Sequence, residues 1–328
     1  MLIPEQLNKT YMTAYPNAAD QALMFREMKT TGEQTWPDWC YLPVAAASAI
    51  VVDEIEKRGV DMAQAASDIG NLAAILAWMP TKSVYRFDPD LLKSLWDVTL
   101  DKDIPVDVLF NLPSWCCYID LEGFAPADRM KLHGFFVYLE SDANSGGREI
   151  RLTFARPGDD GSGIMTLPFH IDDQTKIGDM LQSTLDFSNP YLPNELKDLK
   201  NFQVDQADAA ELYSSYFSLV LYLCSADRDI IQTSKVRKVK KSKNPKKKKR
   251  QLPVEYRVGS AIGGAIRRAR GSSQGTGEGT KKSPHIRKAH YHTYWTGKGR
   301  KKPVVKFIAP VPVNIGDEPV VPIVRRVK

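Results

Sequence analysis

Cysteine is scarce in this chain, with four in 328 residues at positions 40, 116, 117 and 224. They are scattered, and the adjacent pair Cys116–Cys117 cannot readily bridge itself, so a disulfide scaffold is not expected. A secretory leader is lacking too: the opening MLIPEQLNKT has neither a basic n-region nor an apolar h-region. No uncharged stretch, Leu42–Val52 among them, reaches the roughly 18 residues that a membrane span needs. Together these absences predict a cytoplasmic protein with reduced thiols. Catalytic signatures are missing as well: nothing reads as a nucleophile elbow, a P-loop, a Walker set or a paired-carboxylate site. The expectation is a binding protein, not an enzyme, with no cofactor.

Acidic residues are the other scarcity, and it is a local one. Residues 1–230 carry 18 Lys/Arg against 35 Asp/Glu, a net of −17, whereas residues 231–328 carry 27 against 4, a net of +23. The overall charge of +6 hides this split. An acidic body with a basic arm predicts a polyanionic partner for the arm. The competing reading is neutralisation of one half by the other across an internal interface.

What is present reads as α+β. Residues 16–100 are helical in texture. Asn17 stands before a helix with Ala18, Leu23, Met24 and Met28. Val44, Ala47, Val51 and Ile55 recur at helical spacing up to Gly59. Asp61 precedes a stripe of Met62, Ala65, Ala66, Ile69, Leu72, Ala73 and Leu76 that Pro80 ends, and Asp88-Pro89 opens a helix with Leu91, Leu92, Leu95 and Trp96. The alanine-rich stripes predict close helix packing. Strand-like segments then follow at 115–120, 134–139, 149–156 and 164–171, with turn sequences Asn144–Gly147 and Gly158–Gly161, which predicts an antiparallel meander. Helices over 175–185 and 205–224 come next, the second with Leu212, Tyr216, Leu219, Val220 and Leu223 on a face suited to covering the sheet.

Lys235–Arg250 holds 11 Lys/Arg and no acid, the composition of a nucleic-acid arm or of a solvated linker. A strand at 254–258 and a short helix from Ser260, with Ile262, Ile266 and Ala269 inward and Arg267, Arg268 and Arg270 outward, come after it. Gly259-x-x-x-Gly263 lies outside any apolar 20-mer, so its membrane-dimer meaning does not apply. The predicted organisation is a helical N-terminal part (1–103), an α+β body (104–230), a Lys-rich linker (231–253) and a basic C-terminal part (254–328) with a Gly/Ser linker at 271–281.

The densest chemistry lies in Pro284–Asn314, which holds three of the five histidines, seven Lys/Arg and no acid. Strand alternation puts Arg287, Ala289, Tyr291, Thr293 and Trp295 on one face and Lys288, His290, His292, Tyr294 and Thr296 on the other. Gly297-Lys298-Gly299 supplies a turn, with Val304–Ile308 returning, so a β-hairpin is expected. Arg287, Lys288, His290, His292, Tyr294, Lys298 and Lys306 are the candidate RNA contacts. Zinc at His285, His290 and His292 is disfavoured, because the neighbouring charges are cations and the next acid is Asp317. General acid–base cleavage of RNA by the His290/His292 face is the enzymatic alternative. A nucleic-acid-binding protein of a mobile element is a third reading. Two further aromatic concentrations, Trp36–Trp39 and Asn111–Trp115, precede the sheet. Trp115, Tyr118, Phe136 and Tyr138 are the candidate lining of a peptide groove, against the alternative that they are core.

Two segments, Val108–Asp120 (VLFNLPSWCCYID) and Pro284–Gly297 (PHIRKAHYHTYWTG), resemble the signature segments of a family of type V-A anti-CRISPR proteins, the family that lowers production of the type V-A effector nuclease. Tyr291 departs from that pattern, where a Trp is usual. The resemblance implies a phage or plasmid protein acting in the cytoplasm of a bacterial host. It also implies recognition of the effector's N-terminal segment as it leaves the ribosome, and loss of the message being translated.

Overall fold

The structure, a computed structural model, describes residues 1–58, 62–124, 132–143, 146–157, 163–171, 174–186, 206–234, 252–272, 285–287 and 289–313. Expectations for Gly59, Asp61, the turn tips near 144 and 158–161, the lysine run Lys235–Arg250, most of the Gly/Ser linker and Lys288 fall outside those residues.

Four helices open the chain: α1 (Ile3–Ala14), α2 (Ala18–Thr31), α3 (Val44–Arg58) and α4 (Met62–Trp78). Asn17 occupies the cap position of α2 without a side-chain hydrogen bond to it. The buried residues of α2 are Ala18 and Ala22, while Leu23 and Met24 stand 55% and 50% exposed. That corrects the expected Leu/Met stripe: a small-residue face lets α2 come close to α3. In α3 the spacing holds, with Ala47, Val51 and Ile55 buried. Leu72 to Trp78 are buried all round, because the end of α4 is wedged between α3 and the sheet.

β1 (Ser83–Phe87) follows, a strand inside a region expected to be helical. Asp88 then caps α5 (Pro89–Trp96) by accepting from the Asp90 amide, with proline in the first turn as anticipated. The meander forms as β2 (Cys116–Asp120), β3 (Gly134–Ser141), β4 (Arg148–Ala155) and β5 (Ile164–His170), each antiparallel to the next. After α6 (Ile177–Asp186) and α7 (Gln206–Cys224) come β6 (Ile230–Gln232), β7 (Val254–Val258) and α8 (Ser260–Ser272). The sheet has seven strands in the order β5-β4-β3-β2-β1-β7-β6. β1 is parallel to both β2 and β7, and β6 returns antiparallel on β7, so the antiparallel meander is one side of a mixed sheet. β6 and β7 flank the lysine run in sequence. The Thr233 amide donates to the Glu255 carbonyl at 2.9 Å, next to that pairing.

Both faces of the sheet are covered. Val84, Cys116, Tyr118, Phe136 and Tyr138 pack with the N-terminal helices on one side. Tyr85, Cys117, Ile119, Phe135, Val137 and Phe154 pack with α5, α6 and α7 on the other. This is why the strands read as near-continuous apolar runs. α7 carries the expected sheet-facing residues, yet Ser215 to Cys224 are buried all round. Its other side is covered by a hairpin of β9 (His290–Thr296) and β10 (Lys302–Ile308). Phe307 meets Tyr222 and Tyr291 edge-on or tilted at 5.6 and 5.4 Å, and the Tyr291 hydroxyl donates to the Ser218 carbonyl. β8 (His285–Arg287) and β11 (Val311–Val313) form a separate two-stranded pair.

Gly259 and Gly263 find a local use. A β-carbon on Gly259 would lie 1.9 Å from Leu91 Cδ2, and one on Gly263 would lie 1.9 Å from Asp88 Oδ1, so the pair lets α8 sit directly against α5. A buried charge cluster closes the other end of the sheet. Glu140, opposite Glu149 in the β3–β4 register, accepts from the Val44 amide at 2.6 Å through Oε1, while Oε2 has no hydrogen-bond partner among the described residues. Burial pushes its carboxyl up to about 7. Glu149 is buried too, yet His170 and Arg151 bind it at 3.0 and 2.7 Å and hold it down at about 2.

Candidate functional site

The hairpin places its side chains by alternation. Tyr291, Val305 and Phe307 point into the body and are buried. His290, His292, Tyr294 and Thr296 lie on the opposite face, paired across the ladder with Ile308, Lys306, Val304 and Lys302. The His292 ring meets the Tyr294 ring edge-on at 4.5 Å, and Lys306 Nζ lies 5.6 Å from the Tyr294 centroid. Lys298 is exposed at the tip, where Gly297 and Gly299 take φ of 79° and 74°, as a tight reversal requires. Four of the seven expected RNA contacts, His290, His292, Tyr294 and Lys306, therefore share one face, and Lys298 caps its end. Arg287 belongs to β8, outside this hairpin.

Some of the charge split is settled internally. Arg267 of α8, in the basic part, bonds to Asp88 at 2.9 Å and Asp90 at 2.8 Å, in the acidic one. The hairpin is different. Lys298, Arg300, Lys301, Lys302 and Lys306 make no ion pair among the described residues. A cationic face with no carboxylate attracts a polyanion and not a metal ion. Nor do three or more His, Cys, Asp or Glu gather into a metal-holding group among the described residues.

The sheet aromatics call for a correction. Tyr118, Phe136 and Tyr138 are 1%, 0% and 1% exposed, because this sheet face is sealed by the N-terminal helices. Tyr118 and Phe136 meet edge-on at 4.8 Å, and Phe136 meets Trp78 at 6.0 Å. They are core, with no surface to offer a peptide. Trp115 is half-buried, and the structure brings it to the other aromatic stretch. Its indole N–H donates to the Asp38 carbonyl at 2.9 Å, and its ring lies 5.3 Å from Tyr41. Arg26 sits over both rings, at 5.1 Å from Tyr41 and 5.4 Å from Trp115. Trp39 packs edge-on against Phe110 at 5.2 Å, with Arg148 over Phe110, and Lys29 lies over Trp36 while pairing with Asp38. Trp36, Tyr41 and Trp115 are thus linked through Arg26, Lys29 and Asp38 into a partly exposed aromatic–cationic surface on the acidic body, with Trp39 next to Asp38 in the chain.

The thiols take no part in either surface. All four cysteines are buried, and burial pushes Cys40 up to about 12 and Cys117 up to about 11, which keeps them protonated and poorly nucleophilic.

The profile of the Anti-CRISPR type V subtype A2 family (AcrVA2-like) matches residues 85–315, more than two thirds of the chain. The chain belongs to that family. The matched range of this anti-CRISPR chain begins within β1 and takes in the sheet, α7 and the hairpin. Protein FinQ of Escherichia coli is 27% identical over 279 residues, covering 77% of this chain and 79% of that protein. The crystal structure of AcrVA2 aligns with a TM-score of 0.64 at 22% identity, covering 96% of this chain and 100% of that one, which is a likeness of fold. Trp36, Trp39 and Tyr41 are the members of the aromatic surface that sequence reasoning did not assign. Their only sequence signal is the density of tryptophan in Trp36-Pro-Asp-Trp39, and their partner Trp115 lies 77 positions from Asp38.

Proposed function

We propose that this anti-CRISPR protein recognises the nascent N-terminal segment of the type V-A CRISPR effector nuclease and promotes loss of its mRNA, with the hairpin contacting RNA or the ribosome. The observation that carries the reading is the separation of two surfaces. One is an uncompensated cationic strand face, and the other is an aromatic surface on a body that is otherwise acidic. Membership of a type V-A anti-CRISPR family supports the type V-A effector as target. Peptide recognition is assigned to Trp115 with Trp36, Trp39 and Tyr41, because large half-buried aromatics give contact area at little entropic cost. Two modest interactions made at once, one with peptide and one with RNA, select the ribosome that is making the effector. The protein acts by binding, with no catalytic residue.

β7 lies between β1 and β6, so truncation before it would remove a strand from the sheet; point substitutions are the proper test. Isothermal titration of the full chain against a synthetic peptide of the effector's N-terminal residues should show micromolar or tighter binding. Trp115→Ala should weaken it, and the double substitution His292→Ala/Lys306→Ala should not. In cells, effector message should fall with the wild-type chain and persist with that double variant. Absence of peptide binding would overturn the reading. RNA cleavage by the purified protein, abolished by His290→Ala or His292→Ala, would replace it with the ribonuclease alternative.

A further inference from the structure

The hairpin extends past the part of the body that covers it. Tyr291, Val305 and Phe307 are buried near its base, whereas every residue from Tyr294 to Lys302 is exposed. At the tip two aromatic side chains stand on opposite faces: Tyr294 is 42% exposed, and Trp295, paired across the ladder with Pro303, is 52% exposed. Tyr294 already holds Lys306 near its ring. Trp295 has neither a ring nor a cation against it among the described residues. A tryptophan half in water is a cost unless something covers it. At the turn beside it stand Lys298, Arg300 and Lys301, all exposed, and Lys302 is exposed on the Tyr294 face, with no acid between residues 281 and 316.

We infer that the hairpin tip binds an unpaired stretch of RNA, with Trp295 as its principal stacking residue. The inference rests on the reading of the hairpin as the RNA contact and narrows it. An indole offers a flat apolar face to the flat face of a base, and only an unstacked base presents one. In a duplex the base faces are already stacked, and the deep, narrow major groove of RNA is closed to side chains, so an exposed tryptophan would gain nothing there. The flanking cations supply the matching attraction for the phosphates that run beside each base. Duplex RNA would use the cations and leave Trp295 idle.

The test measures fluorescence anisotropy of the full chain with a labelled, unstructured RNA and with the duplex of the same sequence, at two salt concentrations. The single strand should bind more tightly. Trp295→Ala should weaken it at least about fivefold and leave the salt slope unchanged, while Trp295→Phe should restore most of the loss. Lys298→Ala should instead lower the slope. Thermal unfolding should show each variant to be folded, as the exposure of these side chains implies. Equal or tighter duplex binding, indifferent to Trp295→Ala, would overturn the inference and leave the hairpin as an RNA contact. Failure to bind either RNA would remove that contact and the inference with it. Polyglutamate bound as tightly as RNA would reduce the tip to a charge sensor and overturn the inference as well.

Discussion

The hairpin and the central sheet carry the same kind of sequence, strands rich in aromatics at strict alternation, and meet opposite fates. In the hairpin one face is docked on α7 and the other is free, so alternation separates Tyr291 from His292 and Tyr294 in burial as well as in direction. In the sheet both faces are docked, so Tyr118 and Ile119 point opposite ways and are buried alike. Period-two reasoning states which residues share a face. How many layers lie upon that face is decided by elements far away in sequence, here the N-terminal helices.

The largest break in the comparison should come from Phe136→Ala. Phe136 is fully buried between the sheet and α4, so the substitution should cost about 3–5 kcal/mol in urea unfolding. A loss below about 1 kcal/mol would show that this face is open after all. Next is the pH dependence of the buried cluster. Glu140 binds its proton more readily folded, at about 7, than with the ordinary value of 4.5. Between those values the folded chain holds more protons, and stability should decline as pH rises through that window. Glu149, held at about 2, works the other way and loses its contribution as pH falls from about 4.5 towards 2. Glu140→Gln should therefore flatten the decline between about pH 4.5 and about pH 7, and an unchanged slope would assign the dependence elsewhere. Tyr291→Phe removes the hydroxyl bonded to Ser218 and should cost about 1 kcal/mol, with amide exchange rising in β9 before the sheet. Smallest of all, Tyr294→Ala on the free face should shift stability by less than about 0.5 kcal/mol while weakening RNA binding. A large stability loss there would mean that the outer face is docked too.

The hairpin was legible because its signals are local: alternating residues, a Gly-Lys-Gly reversal and a returning apolar strand lie within about twenty positions. The antiparallel meander was legible for the same reason, and so was the proline-opened α5. β1 was not, since a five-residue strand between helices gains its identity from Tyr118 and Glu255, its distant parallel partners in register. The meeting of Trp115 with Trp36 to Tyr41 escaped the sequence likewise, because a tertiary contact joined it. For α2 the apolar side chains misled: close packing rewarded the alanines and left Leu23 and Met24 in water. The Gly259/Gly263 spacing was visible at once, but its meaning depended on α5 lying beneath it.

The pairing of β6 with β7 has a consequence for chain length. The two strands bracket the lysine run, and the bond from Thr233 to Glu255 holds together the described residues on either side of it. Doubling the number of residues between two points so anchored costs only about 0.6 kcal/mol in closure entropy when those residues form a flexible connection. A chain with more or fewer residues between the two strands would thus keep the same sheet order. A reporter tag spliced there would ride on the protein as one more such variant.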